Sequence, residues 1–413
     1  MIADCIEMDR LSSEIEELGN ISEYPLPAVT RVLFSDADLR ARAWFKERCL
    51  SADLSLHEDA IGNLFATWLG QDPDLEPVAT GSHLDAIPNA GKYDGVVGVL
   101  GGLEAIRALK ASGYVPRRSI VLIMFTAEEP TRFGVGCLGS RMMSGVMPLA
   151  RAELLQDENG LGLNHWRGRA GHVSEMSDVL LDRGAFSSFV ELHIEQGPKL
   201  EERGIDIGVV EKIAAPAAFR FHLTGAGGHA GAVLMPDRHD ALLAGAEIAL
   251  AVEKAAITSG SADTVATTGV FEVKPGAINS IPFAVKMEVD LRDTDMAARE
   301  RAEKMILTQS ADICTRRGIE CSLETINSDE PAVCDANLVS LVEAKSLELG
   351  FSTQRMISRA YHDSLFMARL SPITMIFIPC FKGYSHRPDE YSSPEAIRKG
   401  VAVLAETLKS LSL

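Results

Sequence analysis

The sequence has no apolar run near the roughly 20 residues needed to span a bilayer. Its longest such run, Ile120 to Phe125 with its neighbours, is far shorter. It has no Cys-x-x-Cys motif, and its seven cysteines are an odd number, scattered from Cys5 to Cys380. That argues against a disulfide framework or a thiolate metal site and for reduced thiols. Basic residues are few: 40 Lys and Arg against 58 Asp and Glu leave a net charge of −18, with no cluster of four or more Lys or Arg. Such a chain has no overall field to draw in nucleic acid or an anionic membrane, and neither is expected as a partner. The first ten residues lack a basic segment followed by an apolar one, so no secretory signal is expected and the chain is placed in the cytoplasm.

What is present is the size and pattern of a multidomain globular protein. A length of 413 residues exceeds one small core and suggests two or three domains. Hydrophobic residues at 46% and charged residues at 24% exclude wholesale disorder. The first third alternates strand and helix. Ser35-Asp36 caps an amphipathic stretch running to Cys49, strands are expected at 63–69, 77–80 and 119–126, and a helix over 95–111. A polar excursion follows at about 156–177, then a buried strand at 190–194. Alternation of this kind predicts an α/β sandwich around a mostly parallel sheet. The middle differs. Strand 219–224, helix 238–256, strands 264–273 and 284–291, helix 296–317 and strand 320–326 form a β-α-β-β-α-β unit, the ferredoxin-like order. After Pro331 the first pattern returns, ending in a helix over 394–411. The expected organisation is therefore an α/β domain of residues 1–214 and 330–413, interrupted by an α+β domain of residues 215–329.

Metal-type ligands concentrate at five places that follow or end predicted strands, where open α/β sheets put their sites. They are His83 and Asp85 in Gly-Ser-His-Leu-Asp, Asp94 in Gly-Lys-Tyr-Asp-Gly, the pair Glu128-Glu129, His193 in Glu-Leu-His-Ile-Glu-Gln-Gly, and His386 in Gly-Tyr-Ser-His-Arg-Pro. Adjacent carboxylates suit two jobs, one ligating a metal while the other serves as general base. His-x-Asp suits a ligand whose second ring nitrogen is oriented by a carboxylate. Imidazole and carboxylate without sulfur point to zinc, manganese or cobalt. Taken singly, each feature has a plainer reading: a strand-end histidine is usually a hydrogen-bonded structural residue, and paired glutamates are commonly solvated surface. Together, with only 10 histidines in the chain, they point to a metal-dependent hydrolase.

In this order, Gly81-Ser-His-Leu-Asp, Gly91-Lys-Tyr-Asp-Gly-Val-Val-Gly-Val, Glu128-Glu129-Pro-Thr-Arg-Phe, Glu191-Leu-His-Ile-Glu-Gln-Gly and Gly227-Gly-His-Ala-Gly resemble the hydantoinase/carbamoylase amidohydrolases. The resemblance covers nearly the whole chain. It implies an aminopeptidase-like α/β/α catalytic domain, an inserted ferredoxin-like lid and dimerisation domain, a homodimer, and hydrolysis of a ureido C–N bond. It makes His83, Asp94, Glu129, His193 and His386 the ligands of two divalent ions per subunit, Mn2+ or Zn2+, with Asp94 bridging. Asp85 then orients His83, and Glu128 takes the proton of the attacking water and returns it to the leaving nitrogen. For the substrate it implies a carboxylate fork at Arg292 and a hydrogen bond from Asn279. His229 becomes an oxyanion donor reaching the neighbouring subunit's site. Gln196 and His362 are weaker candidates for substrate contacts.

Three substrates divide that family: N-carbamoyl-L-amino acids, allantoate and ureidoglycolate. Carbamoyl-amino-acid members usually carry Gly-Ala-Gly-His-Asp-Ala, whereas this chain has Arg359-Ala-Tyr-His-Asp-Ser. This variant resembles the branch acting on ureidoglycolate, and the bulk of Tyr361 in place of glycine fits a pocket narrowed for a small ureide. The expected products are glyoxylate, ammonia and carbon dioxide, as in purine and allantoin catabolism. The runner-up within the family is hydrolysis of allantoate or of an N-carbamoyl-L-amino acid, and two further readings stand beside it. A catalytically silent, ureide-binding dimeric scaffold would have no chemical need of Glu128, and a dipeptidase needs a roomier pocket than Tyr361 leaves. Cys137 has no basic partner near it in sequence and is not expected to be a nucleophile.

Overall fold

The computed structural model describes residues 2–413, which divide into two compact units. The larger comprises residues up to Glu211, with Val333–Met356 and His362–Leu413; the smaller comprises Lys212–Ala332 and Ile357–Tyr361. The short segment Ile357–Tyr361, which the sequence pattern assigns to the catalytic domain, joins the smaller unit because Ser358 pairs there, its carbonyl accepting from Ala214 N–H at 2.9 Å.

In chain order the strands of the two main sheets are β1 (Ser55–Glu58), β2 (Leu64–Trp68), β3 (Val78–His83), β4 (Ile120–Phe125), β5 (Ser188–Ile194) and β6 (Ile207–Ile213). They continue as β7 (Ala215–Thr224), β8 (Val265–Lys274), β9 (Ala284–Asp293), β10 (Glu320–Ser328), β11 (Ala332–Val333), β12 (Thr353–Ser358) and β13 (Ile373–Ile378). The larger unit is built on a nine-stranded sheet of order β11-β6-β13-β5-β3-β4-β2-β1, with β12 pairing β6. Its centre, β13-β5-β3-β4, is parallel, and antiparallel strands flank it on both sides. Strands β4, β5 and β13 are buried at every residue, as expected of parallel strands covered on both faces.

Helix α1 (Asp36–Ser51) starts where Ser35 accepts a hydrogen bond from Asp38 N–H, the expected cap. Helix α2 (Val96–Ala111) is almost wholly buried and lies directly on the strands that carry the site. Gly98 allows this approach. A Cβ there would sit 2.4 Å from the Leu192 carbonyl oxygen and 2.6 Å from Ser82 Cβ, so any side chain would push the helix off β3 and β5.

The smaller unit has an antiparallel four-stranded sheet of order β8-β9-β7-β10, with helices α3 (Ala241–Ile257) and α4 (Met296–Arg317) supplying the other side of its core. This is the β-α-β-β-α-β order. Residues along β9 alternate between half-buried and buried, the period of a sheet covered on one face. Asp240 and Asp295 cap the two helices, and Gly318 ends α4 with positive φ. Arg299 is fully buried and donates to the carbonyls of Ala215 and Asp329, pinning together the entering and leaving ends of the inserted chain. Back in the larger unit, the largely buried helix α5 (Pro394–Leu411) closes the chain. Among the described residues no helix is long and apolar enough to cross a membrane.

Candidate metal centre

The five residues expected as ligands all belong to the larger unit and cluster at the C-terminal ends of its parallel strands. His83 ends β3, Glu128 and Glu129 follow β4, His193 is the penultimate residue of β5, and His386 lies in the loop after β13. Asp94 precedes α2. There Val96 N–H donates to the Asp94 carbonyl at 2.7 Å, a γ-turn centred on Gly95 with φ 65° and ψ −41°. This turn is strained for any L-residue and natural for glycine. A Cβ on Gly95 would also lie 2.4 Å from His83 Nε2.

Asp94 is the centre of the cluster. Its Oδ1 lies 3.1 Å from His193 Nε2 and 3.6 Å from His83 Nε2, and its Oδ2 lies 3.3 Å from His386 Nε2. Glu129 Oε1 is 3.4 Å from the same His386 nitrogen, and Glu128 Oε2 is 3.7 Å from His83 Nε2. Two groups able to hold an ion therefore share one carboxylate: His83, Asp94 and His193, and Asp94, Glu129 and His386. A third grouping of Glu191, His193 and His362 is less apt. Glu191 already accepts from the Ser82 and Ser364 hydroxyls at 2.8 and 2.5 Å, and His362 packs its ring 4.5 Å from that of His193.

The base candidate is held by its backbone. Ala127, just before Glu128, has φ 54°. Cys137, Leu138 and Gly139 donate their amides to the carbonyls of Glu128, Ala127 and Thr126, each at 2.8 Å. Asp85 completes the clamp: its carboxylate accepts from the N–H of Glu128 at 3.3 Å and of Glu129 at 3.0 Å. The contact nearest His83 Nδ1 is the Asp85 carbonyl at 3.0 Å, with the carboxylate at 3.6 Å. Asp85 thus touches the ligand ring and both glutamates at once. Cys137 is buried with its thiol directed at Glu128 Oε1, 3.7 Å away; burial pushes that thiol well above its usual range, which suits no nucleophile.

The electrostatics fit cations. Burial works against the ionisation of Asp94, yet hydrogen bonds from His193, His386 and His83 hold it well below the carboxylate range. Burial drives Glu129 up to about 7, with Asp94 adding to it. Burial likewise raises Glu128 well above its usual range, with Glu129, Asp363 and Asp94 adding to it and His83 opposing. The bond to Asp94 raises His386 to about 9. Among the described residues, ion pairs of Asp94, Glu128 and Glu129 run only to histidines and never to lysine or arginine. So dense a set of buried acids facing neutral-capable imidazoles is the donor chemistry of divalent ions.

Gln196, with φ 55°, donates to Asp94 Oδ2 at 2.7 Å, so it holds the shared carboxylate. The remaining candidates belong to the smaller unit. His229 and Asn279 are brought together there, because Gly228–His229 pairs with Ser280–Ile281 and Ala230 N–H donates to the Asn279 carbonyl. Arg292 makes a bidentate pair with Asp290 at 2.7 and 2.9 Å, and its guanidinium lies 5.4 Å from the Tyr361 ring centroid. Sequence reasoning missed Ser385 and Glu390, which flank His386 and bond to the Asp94 loop. Their signal was weak, since a serine and a glutamate around Arg-Pro-Asp look like a solvated turn.

Comparison with known proteins agrees with this geometry. The model of peptidase family M20/M25/M40 matches residues 79–410. The ureidoglycolate hydrolase of Oryza sativa subsp. japonica is 52% identical over 99% of this chain and 85% of its own length. That of Arabidopsis thaliana is 51% identical over 99% of this chain and 87% of its own. Among solved structures, the crystal structure of AtUAH in complex with glyoxylate superposes with a TM-score of 0.92 at 49% identity, covering 100% of both chains.

Proposed function

The chain belongs to peptidase family M20/M25/M40, and from that membership and its site we propose that it hydrolyses the ureido C–N bond of ureidoglycolate to glyoxylate, ammonia and carbon dioxide. The observation that carries the reading is Asp94, whose two oxygens face two separate imidazole sets. Near-full-length similarity to two ureidoglycolate hydrolases supports the choice of substrate.

His83, Asp94 and His193 would hold one divalent ion, and Asp94, Glu129 and His386 the other, as manganese or zinc. When bound, such a pair supplies a polarised carbonyl and a more acidic water. The chain's own residues do the rest. Glu128, its acidity lowered by burial, accepts the proton of the attacking water and delivers it to the departing nitrogen. That delivery is required, because an unprotonated ureido nitrogen is a poor leaving group. Asp85 fixes Glu128 by its amide, so the carboxylate meets the water at a set position. Arg292 and Asn279 receive the substrate carboxylate, and His229 of a second subunit donates to the oxyanion. The carbamate half falls to ammonia and carbon dioxide, and the carbinolamine half expels a second ammonia to leave the aldehyde of glyoxylate. The working form is a homodimer, supported by the open edges of β8 and β10 in the smaller unit's sheet. Cysteines that form no disulfide among the described residues suit a reducing cytoplasm.

The test is ammonia release from ureidoglycolate, allantoate and N-carbamoyl-L-amino acids, using metal-stripped enzyme restored with each ion. Ureidoglycolate is expected to give the highest kcat/KM; preferential turnover of a carbamoyl amino acid would sink the substrate assignment.

A further inference from the structure

One buried acid beside the centre has no part in this scheme. Glu390 is 4% exposed and makes no ion pair among the described residues. Its Oε1 accepts the backbone N–H of Tyr93 at 2.8 Å and of Asp94 at 3.0 Å. Its Oε2 accepts from the Ser385 hydroxyl at 2.9 Å. That same hydroxyl lies 2.8 Å from Asp94 Oδ2, the oxygen facing His386. One carboxylate therefore ties the backbone of Asp94 to the residue next to His386.

The histidines differ in how much they need such a tie. His83 and His193 are buried, and the Nδ1 of each sits against a backbone carbonyl, Asp85 at 3.0 Å and Ile194 at 2.9 Å. Contacts of that kind fix the orientation of a ligand ring. His386 has a side chain 48% exposed and φ 59°, and among the described residues nothing bonds its Nδ1. Its place is set by its loop, and Glu390 anchors that loop.

We infer that Glu390 is a positioning residue for the Asp94–Glu129–His386 half of the centre, setting how tightly that half holds its ion. The half built on His83 and His193 depends on it less. The inference rests on the reading of these side chains as ligands of two ions.

The experiment is equilibrium dialysis of the full-length protein against buffered manganese(II), with bound ions counted by elemental analysis and folding followed by circular dichroism. Wild type is expected to bind two ions. Glu390→Ala should raise the dissociation constant of one ion about 10- to 100-fold, the usual effect of losing an outer partner, and leave the other nearly unchanged. Glu390→Gln should recover most of the loss. Its amide oxygen still accepts from Tyr93 and Asp94, and its NH2 donates to Ser385 Oγ, releasing the hydroxyl proton to Asp94. Ser385→Ala, which removes the link from Glu390 to the His386 loop together with the hydroxyl's contact to Asp94 Oδ2, should weaken the same ion. A purely structural role would lower the melting temperature and leave both constants of the folded protein alone. Two ions bound by Glu390→Ala with wild-type constants, or both weakened equally, overturns the inference. Fewer than two ions on wild type overturns the two-ion centre itself and the inference with it.

Discussion

Gly95→Ala is the substitution whose consequence the geometry fixes most closely. The added Cβ would lie 2.4, 2.5 and 2.6 Å from Nε2, Cδ2 and Cε1 of His83. Ordinary contact between such atoms begins near ~3.5 Å, so the buried ring must retreat by roughly 1 Å. The ring is buried and its Nε2 stands 3.6 Å from Asp94, so a retreat of that size disturbs their spacing. A misplacement of that size costs on the order of 100-fold in rate when it displaces a reacting group. The backbone cost is separate: a positive φ in an L-residue is unfavourable by roughly 1–2 kcal/mol. That is small against the ~5–15 kcal/mol of a typical fold, so the variant should remain folded. Gly113→Ala separates the two effects, because Gly113 has φ 76° and an added Cβ there would meet nothing within 4 Å. Both variants should melt a few degrees low by circular dichroism. Only Gly95→Ala should lose one ion by elemental analysis and at least about 100-fold of its ammonia-release rate. Wild-type ion content and turnover in Gly95→Ala would refute the placement of His83 as a ligand.

Glu128→Gln leaves all five ligands in place, so ion content should match wild type while kcat falls at least ~100-fold, the contribution of a positioned acid–base group; near-normal kcat removes Glu128 from the role. Tyr361→Gly should widen the pocket beside Arg292, raising activity on larger carbamoyl amino acids while ureidoglycolate turnover declines; an unchanged ranking across the substrate panel means Tyr361 does not select. Mixing His229→Ala with Glu128→Gln subunits should restore activity that neither homodimer has, because the His229→Ala chain keeps its own Glu128 and borrows His229 from its partner. Subunit exchange without recovery would confine His229 to its own chain.

Legibility in the sequence follows the range of the interaction. The β-α-β-β-α-β order of the smaller unit can be read because each element is marked locally. Asp295 caps α4, Gly318 ends it, and the observed span, Met296–Arg317, is the expected one. Of the parallel core strands, β4 shows as an unbroken apolar run, and Glu128 and Glu129 stand out because they lie just past its end. Ties across the chain stay hidden. Glu390 bonds Tyr93 from 297 positions away, and Ser358 draws a five-residue segment into the smaller unit through Ala214. Gln196 enters as a substrate-contact candidate by resemblance, and its bond to Asp94, 102 positions earlier, leaves no mark in the sequence.

The backbone supplies the remaining signal, and it can be read only against the sequence. Left-handed φ favours glycine, yet Ala127, Cys137, Gln196 and His386 adopt φ values of 54°, 52°, 55° and 59°. All four adjoin or belong to the centre, and conformations of this kind each cost of order 1–3 kcal/mol. Glycine at any of them would relieve that cost. At Gln196 and His386 it would also remove the side chain that reaches Asp94. At Ala127 the strain turns the chain so that the amides of Glu128 and Glu129 both meet Asp85. Local preference and global geometry thus disagree around Asp94, as they also do at Phe34, Asp53, Asn89 and Lys382, whereas α2 begins with its γ-turn on glycine. The turn at Gln196 is held by its bond to Asp94 and the one at Ala127 by the amides that meet Asp85, so a change at either acid should relax the loop it holds.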